Sequence, residues 1–163
     1  MYRPSGRRKC ETVRGYEIGG RKVKKDVLLR TGNLSQASDE AIASLENHYK
    51  LGVVFDFRSS FEHNAAPDRK VEGCREVWLP CLESLMSAAR ASGGVSEDMN
   101  PGDVNELAQS LLEHAKDTTM AKMGEAMYPL LAFEEENRKS YAEFLDSLAV
   151  LPEGRAALWH CSQ

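Results

Sequence analysis

Gly52-Val53-Val54-Phe55-Asp56-Phe57-Arg58-Ser59 contains the densest run of β-branched and aromatic residues in the chain. Val53 to Phe57 shows no strict apolar/polar alternation, which predicts a strand buried on both faces, closing at Arg58-Ser59-Ser60. A strand covered on both sides belongs to a sheet with helices on each face. The flanking segments fit that architecture. Upstream, Val27-Leu28-Leu29 predicts a short strand closed by Thr31-Gly32-Asn33. Ser35 to Ala41 then suits a helix start, with Ile42, Leu45 and Tyr49 at helical spacing and a stop at Leu51-Gly52. Downstream, a turn or short helix leads through Pro67-Asp68 to a strand at Glu76-Val77-Trp78-Leu79, ended by Pro80. Tyr141, Phe144, Leu145, Leu148 and Leu151 mark an amphipathic helix, and Ala156-Ala157-Leu158-Trp159-His160 a last strand. The expected fold is α/β, a central mostly parallel sheet flanked by helices. A helical insertion is expected at about residues 82–127, where Met, Ala, Ser and charged residues dominate.

The chain has 163 residues, 42% of them hydrophobic and 28% charged, the profile of one globular domain. Cys10, Cys74, Cys81 and Cys161 form no CxxC pair, which argues against a zinc ribbon and a thioredoxin-type dithiol. No run approaches the ~18 apolar residues of a membrane span, and no signal peptide is recognisable. Free thiols in a reducing cytoplasm are the expectation. Residues 1–30 carry ten Lys/Arg against Glu11, Glu17 and Asp26, which leaves the remainder strongly acidic. Residues 1–21 therefore read as a basic N-terminal arm on a domain spanning 22–163. Nucleic acid is not expected as a partner, because the rest of the chain repels a phosphate backbone and only Tyr2 and Tyr16 interleave the arm's cations.

A cysteine directly after a buried strand, preceded by His160 and followed by small polar residues, stands where an open α/β sheet places reactive groups. Backbone N–H groups converging after such a cysteine would favour its thiolate and cradle an anion. Spacing alone leaves two readings of Cys161 open: a nucleophile, or a small apolar residue closing a strand. Three segments in order, Leu29-Arg30-Thr31-Gly32-Asn33-Leu34, Gly52-Val53-Val54-Phe55-Asp56-Phe57-Arg58-Ser59 and Leu158-Trp159-His160-Cys161, resemble the tyrosine-phosphatase-like family of bacteria and fungi. The resemblance covers about residues 22 to 163. It implies metal-free, cofactor-free hydrolysis of phosphate monoesters, on phosphotyrosine-containing proteins or on other substrates, phosphoinositides among them. By the same resemblance Cys161 is the nucleophile, and His160, Ser162 and Gln163 belong to the phosphate-binding loop. Asp56, Arg58 and Arg30 are supporting residues: Asp56 and Arg58 either serve the loop or form an ion pair holding the strand end, and Arg30 supports the loop.

The family's loop continues with Gly-Lys-Asp-Arg-Thr-Gly, whose arginine clamps the phosphate and whose aspartate is the expected acid. These 163 residues do not contain that run. On the resemblance, the chain is expected to be an N-terminal fragment lacking the C-terminal part of the domain and inactive alone. The alternative is a catalytically dead phosphatase-like binding module. Ahead of the first strand, Glu11-Thr12-Val13-Arg14-Gly15-Tyr16 keeps only part of the family's N-x-R-D/E-L-G-G-Y pattern. His48, His63 and His114 have no partners at metal-ligand spacing.

Overall fold

A computed structural model of the chain describes residues 10–13, 15–81, 83 and 132–161. The expected insertion at about 82–127 falls outside them except for Glu83, and Ser162 and Gln163 fall outside entirely. The described chain builds a five-stranded sheet in the order β1 (Glu11–Thr12), β4 (Leu28–Thr31), β7 (Ala156–His160), β5 (Leu51–Asp56), β6 (Arg75–Trp78). β1 runs antiparallel to β4, and the other three pairings are parallel. This is the α/β architecture with a mostly parallel sheet that the alternating strands and helices imply. A two-stranded hairpin, β2 (Glu17–Ile18) with β3 (Arg21–Lys22), stands apart from the sheet.

Register explains why β5 lacks alternation. Val54 pairs with Leu158, which pairs with Leu29, and all three enter one core with Ile42, Leu45 and Leu51. Val53 and Phe55, one residue out of phase, enter a second core with Ala157, Leu79, Phe144 and Leu148 on the opposite face. Each face has its helix. The first is covered by α1 (Asp39–Ala43) and the π-helical turn Ser44–His48 that continues it, the second by α3 (Glu135–Ala149), while the short α2 (Ser60–Ala65) follows β5. Phe55 and Phe57 both meet Phe144 edge-on, at centroid distances of 4.8 and 5.4 Å. Such contacts add about 0.5–1.5 kcal/mol beyond the area they bury.

Both ends of the first helix differ from the sequence expectation. The first helix begins at Asp39, because the Ser38 side chain accepts from Ala41 N and caps it there. It ends before Leu51, since Lys50 adopts φ 50° and turns the chain directly into β5. Gly52 is thus a strand residue rather than a stop: a Cβ there would lie 3.1 Å from Arg155 Cβ. Arg155 crosses at that point to donate to the carbonyls of Leu51 and Gly73. No helix among the described residues is long and apolar enough to cross a membrane.

Candidate active site

β7 lies between β4 and β5, so three parallel strands end side by side, with Thr31 and Asp56 in register with His160. Cys161 follows immediately and is exposed. Strand alternation puts His160, Asp56 and Thr31 on the α1 face, and puts Arg30, in register with Trp159, on the α3 face with an exposed side chain. Cys161 follows on the α3 side too. Burial there pushes the Tyr141 hydroxyl up to about 12, with Cys81 and Cys161 nearby adding to the rise. Burial likewise raises the Cys81 thiol.

Beneath Cys161 lies a buried charge network. Asp56, Arg58 and His160 are 4%, 2% and 1% exposed, which without mutual pairing would be prohibitive. Arg58 grips Asp56 with two parallel bonds, Nε to Oδ1 at 2.8 Å and Nη2 to Oδ2 at 2.7 Å, and its backbone N–H adds a third at 3.0 Å. Its Nη1 donates to Ala66 O at 2.7 Å, and Nη2 also lies 3.1 Å from Asp68 Oδ2. His63 Nδ1 meets Asp56 Oδ2 at 2.8 Å, while its ring stacks on Trp78. The Trp78 indole in turn donates to Arg58 O at 2.9 Å. His160 places Nδ1 3.3 Å from the Cys161 carbonyl oxygen and Nε2 2.7 Å from Asp68 Oδ2. That second contact is close but poorly directed for a hydrogen bond, so it acts as a contact between a ring and a charge.

The network decides what its members can do. Of the two readings of Asp56 and Arg58, an ion pair holding the strand end is what the chain makes. The Arg58 guanidinium is engaged on three sides and its side chain is 1% exposed, so it offers no donor to a phosphate in solvent. Burial would raise the Asp56 carboxyl, but hydrogen bonds from Arg58 and His63 outweigh it and hold the group below the ordinary aspartate value. An acid so held ionised does not protonate a leaving group at neutral pH. Asp56, Asp68 and His160 bring their ligand atoms within 4.8 Å of one another. The positive charge between the two carboxylates is already supplied by Arg58 Nη2.

Because the folded Asp56 carboxyl titrates below the unfolded value of about 3.9, its contribution to stability is complete above that pH. It is lost as pH falls through the lower folded value. Urea midpoints measured from pH 5 down to pH 2 should therefore fall, and more steeply for the wild type than for Asp56→Asn. Parallel slopes would show that Asp56 contributes nothing to acid sensitivity.

Sequence reading reached Cys161, His160, Asp56 and Arg58, and the fold gathers all four at one sheet end. It missed Asp68 and His63. Pro67-Asp68 reads locally as a turn, and the partners of Asp68 come from distant Leu34, Arg58 and His160. The available signal was chemical: an arginine closing a strand buried on both faces needs acceptors for all its guanidinium N–H groups, and Asp68 lies ten residues on. A family described as the tyrosine phosphatase family matches residues 12–163. The match reaches back to Thr12 of β1 and takes in the β2–β3 hairpin. No curated protein matches the chain.

Proposed function

Because the chain belongs to the tyrosine phosphatase family, we propose that it carries the nucleophile of a cysteine-dependent phosphate monoester hydrolase, acting on phosphotyrosine-containing proteins or related phosphomonoesters in the cytoplasm. The carrying observation is an exposed Cys161 at the carboxyl end of the central parallel strand, directly after a buried His160. The Cys161 sulfur, as thiolate, attacks phosphorus; the bond from phosphorus to the leaving oxygen breaks, and that oxygen takes up a proton. Water then attacks the phosphocysteine, the S–P bond breaks, and inorganic phosphate and the thiolate are regenerated. A reduced thiol is required throughout, which supports a cytoplasmic setting.

Transition-state charge on the phosphoryl oxygens needs donors aimed at it, a guanidinium fork above all. Arg58 is engaged elsewhere, and the Gly-Lys-Asp-Arg-Thr-Gly run of the resemblance is not among these 163 residues. The 163-residue chain alone is therefore expected to hydrolyse a small aryl phosphate little or not at all. Vanadate-sensitive turnover by the pure 163-residue chain would overturn that expectation.

A further inference from the structure

Asp68 lies outside every motif that identifies the site, yet its carboxylate joins the ends of three parallel strands. Oδ1 accepts from Leu34 N at 2.7 Å, in the loop after β4. Oδ2 lies 3.1 Å from Arg58 Nη2, just after β5, and 2.7 Å from His160 Nε2, at the end of β7. The Asp68 side chain is 10% exposed and that of His160 fully buried, so solvent screens these contacts little. The His160 ring thus faces Asp68 Oδ2 at Nε2 and, at Nδ1, the Cys161 carbonyl oxygen at 3.3 Å with Asp56 Oδ1 at 3.7 Å.

We infer that Asp68 is a positioning residue for the hydrolysis assigned to Cys161: it fixes the His160 ring, and the ring holds the carbonyl group of the nucleophile's own residue. Its hold on Leu34 N ties the loop after β4 to the same point. The inference rests on the reading of Cys161 as a nucleophile, and the two can fail separately.

Asp68→Asn keeps the volume and an acceptor for Leu34 N, and removes the charge facing His160 and Arg58. Two signals are read on the 163-residue chain: the ring ¹⁵N resonances of His160, and the iodoacetamide rate of Cys161 by mass spectrometry. The expected result in Asp68→Asn is a folded chain with a shifted His160 Nε2 resonance and Cys161 alkylation slowed about tenfold, the scale of lost support to a functional group. A folded variant with both signals unchanged overturns the inference and leaves the nucleophile reading intact. Should the variant fail to fold, the wild-type spectrum decides: the inference requires a ring hydrogen on Nδ1, facing the Cys161 carbonyl oxygen, as well as on Nε2, facing Asp68, and a bare nitrogen at either position overturns it. Equal aryl phosphate turnover, with Cys161 and with Cys161→Ser, by the protein expressed from its native gene would remove the nucleophile reading, and the positioning role with it.

Discussion

Replacing Arg58 with alanine is expected to lower the unfolding free energy by about 3–5 kcal/mol, the cost of stranding a buried charge. Two carboxylates, Asp56 and Asp68, would lose the cation between them, and Ala66 O would lose its donor. Domains are stable by only about 5–15 kcal/mol in total, so a large share of the folded population is at stake. The loss should appear as a lower urea midpoint at unchanged slope. Arg58→Lys should recover only part of it, because an ammonium cannot reproduce the two-pronged grip on Asp56 or reach all three partners from one plane. In the Arg58→Ala background, adding Asp56→Asn should restore stability rather than subtract further, since it removes a charge that has lost its partner. An Arg58→Ala loss below about 1 kcal/mol, the scale of an exposed pair, would mean that solvent reaches the network in solution.

That network also shows where sequence reading ends. β5 was recognisable because Val53, Val54 and Phe55 answer to two cores at once, and only a doubly covered strand asks for an unbroken apolar run. α3 was recognisable from Tyr141 onward, where Phe144, Leu148 and the following Leu151 pack against the sheet, but not at its start. Its first turn holds Glu135 and Glu136, whose acidic side chains suit a helix N-terminus without adding apolar periodicity. Asp68 and His63 were invisible for a different reason. Each is defined by what it meets, and those partners are joined by sheet order rather than by spacing along the chain. Cys161 could be singled out because its argument needs only a strand, its carboxyl end and the residue that follows.

Cys161→Ser is the second change with a large expected effect, and it separates function from folding. Serine occupies nearly the same space at an exposed position, so thermal stability should not move. A hydroxyl is a far weaker nucleophile than a thiolate unless a base activates it. His160 is turned toward Asp68 and the Cys161 carbonyl oxygen, so its ring is engaged there. The decisive measurement is aryl phosphate hydrolysis by the protein expressed from its native gene, with Cys161 and with Cys161→Ser. The account predicts vanadate-sensitive turnover by the first and a loss on the order of 10⁴-fold or more in the second. Equal turnover by the two proteins would contradict it.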